Sequence, residues 1–154
     1  MSANASRAES EWPLSHRVAV GAYVFRDERL LLLKRTNPPC TFAPPGGKLE
    51  ANEDPLSGLH REVREETGLN IEILGVANVW FGSIHNRKPP LLGIDYLARC
   101  THGDVRLSAE HSAVVWASRE DIAAGRIETL TADGYGYNAS DLLTAFSAFE
   151  RWRT

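Results

Sequence analysis

The stretch from Gly47 to Leu69, GKLEANEDPLSGLHREVREETGL, constrains this chain more than any other part of it. Gly47 is followed after five residues by Glu53, and after seven more by the run REVREETGL. Bulky aliphatic residues stand at Val63 and Leu69 within that run. So many charged and glycine positions at a fixed spacing indicate a functional site and not only a helix.

The middle of this stretch predicts a helix with well-marked ends. Asp54 offers a capping side chain and Pro55 suits the first helical position. Thr67-Gly68 predicts the end, because glycine readily takes the left-handed conformation that stops a helix. At about 100° per residue, three apolar residues share one side as a predicted buried stripe, namely Leu56, Leu59 and Val63.

Three carboxylates, Glu62, Glu65 and Glu66, fall on a face beside that stripe. Like charges one turn apart destabilise a helix. Hard divalent cations such as Mg²⁺ take oxygen ligands and would offset this repulsion. A solvated acidic face is the alternative, but the spacing favours a metal site. Arg61 stands four residues before Glu65, within ion-pair reach.

The complete pattern resembles the Nudix box, the signature of the Nudix hydrolase family, with no position broken. The resemblance implies an α/β fold, an α/β/α sandwich with a mixed, curved sheet against which the box helix packs. It also implies that Mg²⁺ or Mn²⁺ is bound by Glu62, Glu65, Glu66 and the main-chain carbonyl of Gly47. Arg61 and Glu53 would orient the box.

Strand-like runs and two further helices surround the box. The strands are predicted at 17–25, 29–35, 71–81, 91–100 and 114–117, the first two as a hairpin. A short helix at 118–124 would be capped by Ser118 with Asp121 as its capping-box partner. A final helix at 141–152 would be capped by Ser140 and would bury Leu142, Phe146 and Phe149. The loop 83–90 is of the polar kind that carries specificity.

Composition bounds the class of protein. With 154 residues and 43% apolar content, we expect one domain at 15–154 after a leader at 1–14 predicted to be disordered. The net charge of −3 argues against nucleic-acid and anionic-membrane partners. No apolar run reaches membrane-spanning length. Cys40 and Cys100 suggest free thiols in a reducing cytoplasm. The oligomeric state stays open, although many Nudix relatives form homodimers.

Residues outside the helix are further candidates. Glu110 precedes a strand where the family often places an extra carboxylate, so it is either a metal ligand and general base or a plain loop residue. Asp95 interrupts an apolar strand, and strand alternation favours a solvent-facing position over substrate recognition. The histidines show no metal-site spacing and are treated as bystanders, among them His60, His85, His102 and His111.

A second group of candidates would contact the substrate. Basic residues around the glycine loop are suited to phosphate oxygens, and these are Lys34, Arg35 and Lys48. Gly46 and Gly47 allow a ligand to approach the main chain closely. Trp80 and Phe81 end a strand, where either would stack on a base or belong to the core.

The resemblance, together with these residues, implies a hydrolase that cuts a diphosphate bond in a nucleoside diphosphate linked to another group. Candidate substrates are a nucleoside triphosphate, an oxidised nucleotide, ADP-ribose or a nucleotide sugar. Metal-activated water would attack directly, with Glu66 or Glu110 as the base, because no covalent nucleophile is apparent. The alternatives are a non-catalytic nucleotide-sensing regulatory domain and an isoprenoid diphosphate isomerase, which would need its own cysteine and acid pair.

Overall fold

A computed structural model describes residues 15–86 and 88–154. The predicted disorder of the leader at 1–14 lies outside the described residues. Seven strands form one mixed sheet: β1 (Arg17–Arg26), β2 (Arg29–Arg35), β3 (Phe42–Ala43), β4 (Gly46–Lys48), β5 (Glu72–Gly82), β6 (Leu91–Arg99) and β7 (His111–Ala117). The helices are α1 (Pro55–Thr67), α2 (Arg119–Ala123) and α3 (Ala139–Arg153).

The sheet has the order β3-β2-β1-β6-β5, with β4 paired to β1 and β7 to β2. β1 and β2 form the predicted hairpin through Asp27 and Glu28, which both have positive φ, as a tight turn between right-twisted strands requires. β1 pairs with β6 in parallel along its length, and β5 pairs antiparallel with β6. The mixed sheet confirms the predicted fold class.

Helices cover both faces of this sheet. On one face α1 buries Leu59 and Val63 against strand residues such as Val20 and Leu31. On the other, α3 buries the predicted stripe of Leu142, Phe146 and Phe149. Because β2 lies between two layers, its run of four leucines, Leu30 to Leu33, is buried on both faces. The α/β/α arrangement is therefore as predicted.

The box helix has the predicted ends but a narrower buried stripe. The Asp54 side chain accepts from the main-chain N–H groups of Leu56 and Ser57, and Gly68 ends the helix with φ 74°. Leu56 is 48% exposed, so its predicted burial is wrong. It lies in the first turn, before α1 reaches the sheet, whereas Leu59 and Val63 are fully covered.

Other boundaries differ from the predictions in ways that local chemistry explains. α3 begins at Ala139 and is capped by Asn138, not Ser140; the Asn138 side chain accepts from the N–H of Asp141, and Ser140 donates to it. β7 begins earlier than predicted, at His111. Ser118 and Asp121 form the predicted capping box of α2. No helix among the described residues is long and apolar enough to cross a membrane.

Candidate active site

A cavity of about 700 Å³ opens beside the glycine loop, at one end of the sheet. Predicted residues on its wall are Arg35, Gly46, Gly47, Lys48, Glu62, Glu66, Trp80 and Glu110. Its lining combines two kinds of side chain. Carboxylates come from α1 and from Glu110, the residue before β7, and aromatic and apolar side chains make up much of the remainder. This volume lies in the range of small-molecule sites.

Glu62 and Glu66 form the acidic part of the cavity wall. The Glu66 side chain is 3% exposed and Glu62 is 13% exposed. The main-chain N–H of Gly46 donates to Glu66 Oε2 at 3.3 Å. Gly47 lies so close to Glu62 that a Cβ there would stand 2.6 Å from both carboxylate oxygens. The glycine pair of β4 therefore lets the main chain of the loop meet the carboxylates of the helix.

Burial governs the protonation of this pair. Burial raises the pKa of Glu62, although Arg61 acts to lower it. Burial also raises the pKa of Glu66, and the negative charges of Glu62 and Glu110 add to that increase. The two carboxyl groups are close enough to hydrogen-bond to each other when one is protonated. Two buried carboxylates in contact are stable at neutral pH only with a proton or a cation between them.

The donor set fits a hard divalent cation. Carboxylate oxygens of Glu62 and Glu66 and the nearby main chain of Gly47 are the oxygen ligands that Mg²⁺ and Mn²⁺ prefer. Within the described part of the chain, no three His, Cys, Asp or Glu side chains already form a closed metal cage. A cation bound by these oxygens would complete its coordination shell with water or substrate oxygens, as Mg²⁺ commonly does.

Arg61 joins the carboxylates of the box, and the ion pair with Glu65 that the helical spacing predicted is present. Its guanidinium donates to both oxygens of Glu53 at 2.7 and 2.8 Å, to Glu62 at 3.0 Å and to Glu65 at 3.2 Å. It also donates to the carbonyl of Lys48 at 3.4 Å. Arg61 keeps the pKa of Glu53 low, at about 2. One side chain thus ties the loop before α1 to a carboxylate of the cavity.

The third box carboxylate lies apart from the other two. The Glu65 side chain is 59% exposed and is held by Arg61. A difference of one residue on a helix turns a side chain by about 100°, which separates Glu65 from Glu66. Glu110, which also lines the cavity, adds to the negative potential at Glu66. The structure therefore brings together Glu62, Glu66 and Glu110, whereas the exposed Glu65 is not among the lining residues.

Arg35 on β2 and His111 on β7 are paired across the two strands, next to an irregularity in the register. This pairing brings both side chains to the cavity wall near Glu66. His111 Nε2 lies 3.7 Å from Glu66 Oε2, and burial lowers the pKa of the imidazole. Arg35 Nε and His111 Nδ1 are buried with no hydrogen-bond partner among the described residues. Sequence reasoning passed over His111; its one signal was adjacency to Glu110.

The remaining predicted contacts divide between cavity and surface. Lys48 is exposed on the cavity wall, next to Gly47. Lys34 is exposed instead, with its ammonium 6.0 Å from the centre of the Phe42 ring. Phe81 is 61% exposed and packs edge-on against His16, so a core position for it is wrong. Trp80 faces the cavity.

Asp95 corrects the prediction of a solvent-facing carboxylate. It is 2% exposed and also lines the cavity. Tyr137 donates to its Oδ1 at 3.1 Å and Tyr23 to its Oδ2 at 3.3 Å. β6 lies in the interior of the sheet, with helices on both faces, so alternation does not lead to solvent. Tyr137 comes from the glycine-rich loop before α3, where no sequence pattern pointed to the cavity.

Burial raises the pKa of Asp95 to about 6, although its tyrosine hydrogen bonds act in the other direction. The unfolded carboxyl ionises near 3.8, so this group favours the folded state most below that pH, and the contribution is lost as the pH rises through 6. The comparison is between the free energies of unfolding of the wild type and of Asp95→Asn. We expect the wild-type value minus the variant value to fall by roughly 2–3 kcal/mol as the pH rises from 4 to 7. Urea unfolding at several pH values measures it, and parallel pH profiles would contradict it.

The fold and the buried carboxylates beside a glycine loop define a hydrolase of the Nudix type. A family model described as the NUDIX domain matches residues 15–135, most of the chain. The chain therefore belongs to the Nudix family, as the box predicted, and its named relatives support a Nudix pyrophosphohydrolase.

Similar proteins carry different activities in their names. A MutT-like protein of Streptomyces ambofaciens is 31% identical over 75% of this chain and 72% of its own length. An ADP-ribose pyrophosphatase of Methanocaldococcus jannaschii is 30% identical over 58% of this chain and 54% of its own length. The structure of a C. elegans Ap4A hydrolase is 29% identical, with a TM-score of 0.69 over 88% of this chain and 98% of that one.

Proposed function

We propose that this protein is a Mg²⁺- or Mn²⁺-dependent hydrolase that cleaves a diphosphate bond in a nucleoside diphosphate linked to another group. The observation that carries the proposal is a single cavity lined both by the buried pair Glu62 and Glu66 and by the ring of Trp80. Such a cavity suits a molecule that combines phosphates with a flat ring. We further propose a cytoplasmic enzyme for small molecules, with a homodimer as one alternative.

Each box residue has a separate task in this mechanism. Glu62, Glu66 and the carbonyl of Gly47 would hold the cation, with Glu65 and Glu110 as further candidate ligands. When bound, the cation would neutralise phosphate charge and lower the pKa of water. Arg61 and Glu53 orient Glu62 without touching the substrate. Either Glu66 or Glu110 accepts the proton of the attacking water.

Basic and main-chain groups would hold the phosphates. Arg35 presents a buried Nε that has no partner among the described residues, and a phosphate oxygen is a suitable acceptor for it. Lys48 is exposed on the same wall and would act as a mobile positive charge. The N–H of Gly46 already holds Glu66, so its part is to fix that carboxylate. The products would be a nucleoside monophosphate and the phosphorylated second group.

A substrate panel tests the proposal. It contains the candidates of the sequence analysis, namely nucleoside triphosphates, an oxidised guanine nucleotide, ADP-ribose and nucleotide sugars. A dinucleoside polyphosphate is added because the names of two similar proteins mention ADP-ribose and Ap4A. We expect hydrolysis of at least one compound with Mg²⁺ or Mn²⁺, and its loss with a chelator. Turnover of none, with the metal content verified, would contradict the proposal. Binding without turnover would favour a sensor.

Glu110 separates the proposed base from the box carboxylates. If Glu110 contacts the water or the cation in the transition state, Glu110→Gln lowers kcat at least about tenfold with little change in KM. Steady-state kinetics on the best substrate measure this. Glu120→Gln, exposed on α2, is the matched control. An unchanged kcat across pH would return Glu110 to an ordinary loop residue.

A further inference from the structure

We propose that Asp95 is a specificity-determining residue whose carboxylate accepts a hydrogen bond from one donor on the nucleoside part of the substrate. This inference rests on the proposed function and names the part of the substrate that binds beside Asp95 and Trp80. The donor is either the 2-amino group of a guanine-type base or the 2′-hydroxyl of the ribose. Both sources present the same chemistry to a carboxylate, and the experiment below separates them.

The geometry of two paired strands turns Asp95 toward the cavity. Gly21 on β1 and Asp95 on β6 are neighbours in the parallel register. The Asp95 side chain leans over Gly21, so that a Cβ on Gly21 would stand 2.6 Å from Oδ1. Gly21 itself lines the cavity. The carboxylate oxygen therefore occupies the space that a side chain on Gly21 would otherwise fill in the cavity wall. Asp95 is only 2% exposed, so a ligand meets at most one edge of the carboxylate.

The carboxylate keeps about one acceptor position beyond its partners in the fold. An ionised carboxylate accepts about four hydrogen bonds. Tyr137 and Tyr23 each donate one, and the Trp80 side chain is a third hydrogen-bond partner of the same group. With a pKa of about 6, the group is ionised at neutral pH and acts only as an acceptor. It therefore favours ligand donors and disfavours ligand carbonyls at the same position.

Trp80 supplies the flat surface beside this acceptor. Its ring lies against Gly93 of the neighbouring strand, in register with it, and any Cβ at Gly93 would overlap the indole. The ring is thus fixed by the sheet. Stacking on an aromatic ring binds every base alike, because each base has a π face. Selectivity has to come from a polar group at the edge of the stacked ring, and Asp95 is that group.

Equilibrium binding of three monophosphates tests the inference. Guanosine monophosphate carries both candidate donors, inosine monophosphate lacks the 2-amino group, and deoxyguanosine monophosphate lacks the 2′-hydroxyl. None has a diphosphate bond, so calorimetry in Mg²⁺ buffer measures binding without cleavage. We expect the wild type to bind guanosine monophosphate about tenfold or more tighter than one of the other two. Which analogue is weakened identifies the base or the ribose as the donor.

Asp95→Asn keeps the shape but replaces one acceptor by a donor, so the preference should vanish while the ligand that lacks the donor binds as before. Asp104→Asn, exposed in the loop after β6, is the matched control and should keep the preference. If thermal unfolding shows that Asp95→Asn is not folded, Gly21→Ala is the second variant. Its Cβ would cover Oδ1 and should remove the same preference.

Three results would overturn the inference: a preference that survives in the folded Asp95 or Gly21 variant, an equal loss of affinity for all three ligands, or no binding of any ligand to the wild type. Hydrolysis of the panel with no dependence on Asp95 would contradict this inference alone. An Asp95-dependent preference without hydrolysis would support it and contradict the proposed function alone.

Discussion

Replacing Glu66 with glutamine lowers the rate of hydrolysis by roughly three orders of magnitude and leaves the fold intact. Glu66 is almost fully buried in the wall of the cavity, beside Glu62. As a candidate ligand and base it contributes mainly to the transition state. Glutamine has nearly the same shape, and without metal the native carboxyl is held protonated by burial, so the exchange costs little stability.

The measurement pairs single-turnover rates with thermal unfolding. Glu72→Gln serves as the control, because Glu72 is an exposed carboxylate on β5 that pairs with Arg99 at 2.6 Å. We expect that control to keep the wild-type rate. Near-normal turnover of a folded Glu66→Gln protein would show that the site has been assigned wrongly.

Arg61→Ala is expected to lower kcat by about a hundredfold, because it removes the side chain that joins Glu53, Glu62 and Glu65. Misplacement of a reacting group by about 1 Å has a cost of that size. The variant should also unfold at a lower temperature, since Glu53 loses its bidentate partner inside the loop before α1.

Arg61→Lys separates charge from geometry. Lysine keeps the positive charge but cannot bind both oxygens of Glu53 while reaching Glu62. We expect it to restore stability in part and kcat only slightly. Arg64→Ala, exposed on the same helix, is the control. If Arg61→Ala lowered stability but left kcat unchanged in the folded fraction, Arg61 would not orient the carboxylates of the cavity.

The sequence predicted most closely those features that depend on local chemistry. The ends of α1 follow from Asp54, Pro55 and Gly68, and the capping box of α2 follows from Ser118 and Asp121. Each of these signals acts within about four residues. The box spacing identified the family for the same reason, since the box carboxylates, Arg61 and the glycine loop lie on one helix and the segment just before it.

Features that depend on distant strands were missed or misplaced. Asp95 was expected to face solvent because alternation alone does not show that β6 is covered on both sides. Its partners Tyr23 and Tyr137 lie 72 and 42 residues away. His111 reaches Glu66 only through the pairing of β7 with β2. No single-sequence pattern carries such pairings, so the places of Asp95, Tyr137 and His111 in the cavity wall required the structure.

The most direct test of the central claim is a single turnover of the best panel substrate in ¹⁸O-water, followed by mass spectrometry of both products. Direct attack of water predicts one ¹⁸O atom in one product only, with no labelled or modified enzyme. Label in the nucleoside monophosphate would locate the attack at the α-phosphorus, and label in the other product would locate it farther along the chain. A trapped phosphoryl- or nucleotidyl-enzyme would contradict the account, because the cavity would then act through a covalent nucleophile.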